Sequence, residues 1–219
     1  KNANTTALNG KPFNTDLEKR LGFPIRLAND ANSFAVAEAL LGRVPHVLPN
    51  AEVVFGVILG TGVGGGWVVH GKVINGRQGI AGEWGHNFLD DSGGLCYCGR
   101  SGCVETVISG PALEKYYESL TLRHLPLRDI ADKAAVGEDE AAVQTMDRLI
   151  HFFGKAIAIV SNIMDPDAIV LGGGVGNIDR LYTDGVAEAQ KYLFNPRIDT
   201  VFLKPELGDS AGVFGAALL

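Results

Sequence analysis

The chain has 219 residues, 46% hydrophobic and 20% charged, enough to bury one large core or two modest ones. A net charge of −6 without a basic run speaks against nucleic acid as a partner, and the polar stretch from Lys1 to Gly10 lacks the apolar centre of a signal peptide. The three cysteines share one loop, which argues against a disulfide framework and for a reducing, cytoplasmic setting.

In chain order, a short amphipathic helix is expected over residues 16–21 and a strand over 24–28. Asn29 and Asp30 then cap a helix carrying Phe34, Val36, Ala37, Ala39 and Leu40, which Gly42 ends. Residues 43–51, with two prolines, predict a loop and a domain boundary. The β-branched run from Val53 to Leu59 predicts a strand covered on both faces. Residues 53–69 are uncharged, yet six glycines interrupt them and they fall short of the roughly 20 residues a bilayer needs, so no membrane span is expected. After the glycines at 60–66, Trp67-Val68-Val69, His70-Gly71 and Lys72-Val73-Ile74 predict a hairpin. Pro111 marks a helix running to Tyr117. Val143, Met146, Ile150, Phe153, Ile157, Val160 and Ile163 step by three and four, predicting a long helix over 140–164 that Asp165-Pro166 ends. A buried strand over 168–171, a helix near 179–192, a strand near 200–203 and a helix from Ala211 follow. The alternation indicates an α/β fold.

Glu83-Trp84-Gly85-His86 precedes Cys96-Tyr97-Cys98-Gly99-Arg100-Ser101-Gly102-Cys103-Val104-Glu105. The thiolates of Cys96, Cys98 and Cys103 with the His86 imidazole are the donor set of a closed tetrahedral zinc site, and Gly99 and Gly102 let the chain double back between donors. Four protein donors leave no open position, so such a zinc is structural. The plainer alternative is three reduced thiols buried as small hydrophobes.

Gly60-Thr61-Gly62-Val63-Gly64-Gly65-Gly66 follows a strand directly, and its backbone N–H groups suit phosphate oxygens, with the Thr61 hydroxyl as a further donor. It lacks a Walker lysine and no helix follows, so a tight bend between strands stands equally open. Gly172-Gly173-Gly174 lies between strand and helix, where α/β sheets gather ligands, or is a simple turn. Asp30 is either an N-cap or a base for a substrate hydroxyl. Glu83 and Glu105 can each hold vicinal hydroxyls, although surface ion pairing is the ordinary role.

These motifs in this order, with Val170 to Gly174 and Gly208-Asp209-Ser210-Ala211-Gly212, resemble the ROK family (repressors, open reading frames and sugar kinases), of the actin-like ATPase, ribonuclease H-like fold. Asn2-Ala3-Asn4, Leu8 to Phe13 and Cys103 to Gly110 look like its fructokinase or mannokinase branch. The resemblance implies ATP-dependent, Mg2+-supported phosphorylation of a hexose 6-hydroxyl, fructose or mannose preferred. N-acetylglucosamine or glucose kinase is one alternative, and a sugar-responsive repressor of the same family is another. Asp30 is then the general base, with Asn4, Asn29, Glu83, His86 and Glu105 on the other hydroxyls. His86 serves zinc through one ring nitrogen and the sugar through the other. Residues 60–66 bind the ATP phosphates, and Gly172, Gly173 and Gly174 line the adenosine side. A homodimer is implied as well. Residues 1–50 would be the remnant of a smaller N-terminal domain, 51–209 the larger domain, and 210–219 a helix returning to the smaller one. The family's opening Asp-x-Gly-Gly-Thr motif occurs nowhere in the chain. The resemblance therefore implies a piece of a longer kinase, inactive on its own.

Overall fold

The computed structural model describes residues 6–219. Helix α1 (Phe13–Leu21) starts three residues earlier than expected and ends on the left-handed Gly22. Helix α2 (Asp30–Leu40) is capped by Asn29, whose Oδ1 accepts from the N–H groups of Ala31 and Asn32. Helix α3 (Arg43–Val47) stands where a loop was expected. Pro45 lies in its first turn, where no intrahelical N–H is required, so the proline does not oppose it. Strand β1 (Val53–Leu59), strand β2 (Val63–Val69) and strand β3 (Lys72–Val73) follow, the last two joined by a turn with His70 and Gly71 both at positive φ.

Helix α4 (Val104–Ile108) and helix α5 (Gly110–Thr121) come after the cysteine loop, then helix α6 (Leu127–Val136) and the long helix α7 (Glu140–Met164). Strand β4 (Ala168–Gly172) turns directly into helix α8 (Gly173–Gly176). The helix expected near 179–192 divides into a 3-10 turn (Asp179–Tyr182) and helix α9 (Asp184–Gln190), broken at Thr183. Strand β5 (Val201–Leu203) and helix α10 (Ala211–Leu218) complete the described elements.

The sheet order is β3-β2-β1-β4-β5, with β1, β4 and β5 parallel and β2 antiparallel to its neighbours. Alternate residues divide the core. Phe55, Val57, Leu59, Ile169 and Leu171 face α7 and the helices around it, whereas Val54, Val68, Ala168, Val170 and Leu203 face α2 and α10. Helix α2 is buried between the sheet and α10, with every residue from Ala31 to Glu38 inaccessible. It lies close because two glycines paired across β1 and β2 sit beneath it: a Cβ on Gly56 would stand 2.5 Å from that of Ala35, and one on Gly66 would stand 2.7 Å from the Ala31 carbonyl.

Residues 24–28 form no strand. Their backbone finds partners elsewhere: Ile25 N–H donates to Glu18 Oε1 at 3.0 Å. Neighbouring apolar side chains stay open, Phe23 at 56% exposure and Leu27 at 59%. An extended segment becomes a strand only with a ladder partner, and none of the described residues supplies one.

Glu38 is fully buried, and its carboxylate accepts from the backbone N–H groups of Arg43 (3.0 Å), Glu206 (3.0 and 3.1 Å) and Leu207 (2.8 Å). It ties α2 to the segment entering α10. Glu38→Ala should lower unfolding stability by roughly 3 kcal/mol, because three part-buried backbone N–H groups lose their charged acceptor, and Glu38→Gln by less. Urea titration of both variants checks the order.

Candidate functional site

The site assembles on β2. The expected glycine loop is shorter than its seven residues: Gly60-Thr61-Gly62 makes the turn, while Val63, Gly64, Gly65 and Gly66 belong to the strand. The reason is crowding rather than bending. A Cβ on Gly65 would stand 2.5 Å from the Phe55 ring and 2.9 Å from Trp84. Across Gly64 and Gly66 lies the first turn of α2. Asp30 is exposed there, with Oδ1 accepting from Ala31 N–H at 2.9 Å. The N-cap is Asn29, not Asp30, so the cap leaves Asp30 Oδ2 free of that duty. Asn29 has Oδ1 engaged in the cap, and its amide N–H groups are what it can offer a ligand.

Glu83-Trp84-Gly85-His86 is fastened along the same strand. Trp84 Nε1 donates to Gly64 O at 2.9 Å, and the Gly82 and Gly85 backbones lie directly on the carbonyls of Gly65 and Val63. Any side chain at Gly82 or Gly85 would lift the segment off. Glu83 is left exposed beside this contact, and His86 follows in a 3-10 turn. Glu105, in the first turn of α4, returns to β2 from the other side: its Oε2 accepts from Val63 N–H at 3.0 Å. Asp30, Glu83 and Glu105 thus surround one short glycine strand. Asn4 lies outside the described residues.

His86 Nδ1 and the sulfurs of Cys96, Cys98 and Cys103 all lie within 4.8 Å of one another. Cys98 Sγ to Cys103 Sγ and Cys96 Sγ to His86 Nδ1 are both 3.6 Å. A tetrahedron with bonds of about 2.3 Å has edges of about 3.8 Å, whereas a disulfide requires about 2.05 Å. The donor set and spacing therefore fit a zinc ion. Burial pushes the thiol of Cys96 up and that of Cys103 up to about 12, so without a cation both are held neutral; a divalent ion reverses that balance. Gly99 and Gly102 both have positive φ, and Gly102 N–H donates to Gly94 O as the chain doubles back. His86 Nε2 does not stand open as expected: the Tyr97 hydroxyl lies 2.7 Å from it. Burial, then the negative charges of Glu105 and Glu83, push the Tyr97 phenol up to about 12.

The two glycine clusters meet at a cavity of about 940 Å³ beyond the carboxyl ends of β1 and β4. Gly60, Thr61 and Gly174 line it, together with Gly110, Pro111 and the α6 side chains Leu127 and Ala131. Gly172 and Gly173 do not; a Cβ on Gly172 would meet the Phe34 ring at 2.7 Å, and Gly173 has positive φ against the Leu59 backbone. Their close packing supports the strand-to-helix turn, the simpler of the two readings. Helix α6 was missed in the sequence although Leu127, Ile130, Ala131 and Ala134 stand at i, i+3, i+4 and i+7, a period muted by its alanines. Tyr97 had no sequence signal beyond its position between two cysteines.

The ROK family model matches residues 1–219, and the chain belongs to that family. The N-acetyl-D-glucosamine kinase of Pectobacterium carotovorum subsp. carotovorum (strain PC1) is 38% identical over 231 residues, covering 99% of this chain and 73% of that protein. Among solved structures, the ROK hexokinase from Thermus thermophilus is 34% identical with a TM-score of 0.83, covering 94% of this chain and 68% of that one. The ROK family glucokinase from Streptomyces griseus, in complex with glucose and AMPPNP, is 30% identical with a TM-score of 0.79, over 94% and 71% of the two chains. A ROK family transcriptional regulator, a homologue of the E. coli MLC protein, is 31% identical with a TM-score of 0.79, over 94% and 54%. The chain has the actin-like ATPase fold of these relatives. No described helix is long and apolar enough to cross a membrane.

Elemental analysis of protein prepared without added metal should find one zinc per chain. Cys98→Ser should lower zinc content and melting temperature together, because metal affinity is part of the folding free energy. Full metal content in that variant would remove Cys98 from the donor set.

Proposed function

We propose that the cleft transfers the γ-phosphoryl group of ATP to the 6-hydroxyl of a hexose. The supporting observation is the gathering of Asp30, Glu83, His86 and Glu105 around one glycine strand whose turn also borders the large cavity. Asp30 takes the proton of the 6-hydroxyl as that oxygen attacks the γ-phosphorus; the P–O bond to the β-phosphate breaks and ADP leaves. Asn29 offers its amide N–H groups to the sugar, and Glu83 and Glu105 accept from vicinal hydroxyls, Glu105 while still holding Val63. Asn4 is proposed as a further contact.

The Thr61 N–H and hydroxyl are assigned to the nucleotide phosphates, since Gly60 N–H already donates to Gly62 O within the turn, with Gly174 and α6 toward the adenosine. Among the described residues the only cluster of three or more metal-ligating side chains is that of His86 and the three cysteines, so Mg2+ is assigned to the nucleotide phosphates rather than to a protein cage. Zinc, held by four protein donors, would shape the loop between Glu83 and Glu105 and take no part in the transfer.

The curated relative is an N-acetyl-D-glucosamine kinase and the structural relatives include a glucokinase, which supports the N-acetylglucosamine or glucose alternative over a preference for fructose or mannose. The regulator among the relatives favours a second reading, a sugar-responsive repressor. An intact glycine turn opening on a nucleotide-sized cavity supports the kinase instead.

A coupled phosphorylation assay on the whole protein over a hexose panel tests this. Asp30→Asn should bind hexose in calorimetry while kcat falls by about 10²- to 10⁴-fold, the usual worth of a general base. Unchanged turnover would remove Asp30 from the mechanism.

A further inference from the structure

The charged residues lining the large cavity are Glu114, Arg128, Asp132, Asp179 and Arg180. Most of them are already committed. Glu114 Oε1 accepts from Leu127 N–H at 2.8 Å, and Asp179 pairs with Lys204. Arg180 is divided between Asp147 at 2.8 Å and Asp184 at 2.7 Å. The Arg128 guanidinium makes no hydrogen bond or ion pair with any of the described residues, Asp132 one turn along α6 included. Its place in the first turn of α6 sets a positive charge against the helix dipole, so the stability of the helix gives no reason for an arginine there.

Two hydrogen bonds fix where Arg128 stands. Gly110 N–H donates to Gly60 O at 2.8 Å, which seats the start of α5 on the glycine turn. Glu114, one turn along α5, then holds the start of α6 through Leu127. A Cβ on Gly110 would stand 3.3 Å from Gly60 O and 3.8 Å from Leu127 Cδ2, so the turn and both helix starts meet at one end of the cavity. Thr61, assigned to the phosphates, is at that end. Arg128 follows Leu127 directly, and α6 runs on from there with Ala131, Ala134 and Ala135 in the cavity lining. A phosphate chain brings more negative charge to a lining with three carboxylates against two guanidinium groups, and a planar guanidinium suits phosphate oxygens.

We propose that Arg128 is a specificity-determining residue of the nucleotide site: its guanidinium takes the phosphate chain, so that the cavity selects a nucleoside triphosphate over the bare nucleoside. This rests on the nucleotide reading of the cavity.

The test is calorimetry of adenosine, ADP and ATP on the whole protein, wild type against Arg128→Gln. ATP should bind about tenfold more weakly to the variant while adenosine changes by less than about twofold, the signature of a lost charge-assisted contact to phosphate. KM for ATP should rise with it, and KM for the hexose and the melting temperature should match the wild type. Arg128→Lys should recover part of the loss, since the charge returns without the fork, and added salt should narrow the gap between wild type and Arg128→Gln. ATP affinity within about twofold of wild type would overturn the assignment. Equal weakening of ATP and adenosine would overturn it too, by placing Arg128 against the base or the cavity wall, as would a large drop in melting temperature. A wild type that binds no nucleotide would bring down the nucleotide reading of the cavity itself, whereas a binding wild type with an unaltered variant would bring down only Arg128.

Discussion

Strand β2 carries no side chains over Gly64-Gly65-Gly66, and three groups of atoms use the space. The first turn of α2 rests on Gly64 and Gly66, the Phe55 and Trp84 rings close on Gly65, and the backbone of Gly82 and Gly85 lies along the strand's carbonyls. The approaches at Gly65, Gly66, Gly82 and Gly85 are closer than a Cβ would permit, whereas Gly64 meets the Ala31 methyl at ordinary contact distance. Because Asp30 begins the helix and Glu83 follows Gly82, the distance between the proposed base and the proposed sugar carboxylate is set by backbone contact. Loops and rotamers have little say in it. A methyl group at Gly66 would act on the position of Asp30 without touching any substrate.

The cysteine knot adds a second constraint of a different kind. Between Asn87 and Val104 the chain has little regular structure, and its apolar side chains Phe88 and Leu95 are exposed. What holds it is a set of backbone hydrogen bonds around Gly94 and Gly102 together with the gathering of His86, Cys96, Cys98 and Cys103 within 4.8 Å of one another. Arg148 of α7 supports its outer edge, donating to Ser92 Oγ at 2.7 Å while its guanidinium lies between the Tyr116 and Phe152 rings. The loop hands the chain to α4, so its geometry decides where Glu105 meets Val63.

Some of this could be read from the residues and some could not, for physical reasons. Helix α7 and strand β1 have a strong period or an unbroken β-branched run, and both fall where the pattern put them. The cysteine and histidine donors gather as their types and proximity suggested. The glycine cluster at 60–66 misled, because a glycine needed for close packing looks the same in sequence as one needed for a turn. Residues 24–28 had strand composition without a neighbour, and composition says nothing of neighbours. The Tyr97–His86 contact and those of Glu38 are made only once the chain has folded; one spans 11 positions and the other as many as 169.

That last span has a bearing on how the molecule is made. One side of helix α2 is covered by α10: the Gly215 backbone lies on the carbonyl of Ser33, and the Glu38 carboxylate grips residues 206 and 207. During synthesis the helix bearing Asp30 emerges some 170 residues before its cover. Closure over so long a loop is an entropic step that local structure cannot hasten. Until then an apolar helix stands on a half-covered sheet, a state that invites chaperone capture or self-association. In the finished molecule the same linkage makes α2 and α10 a single cooperative unit, whose amides should exchange with solvent together.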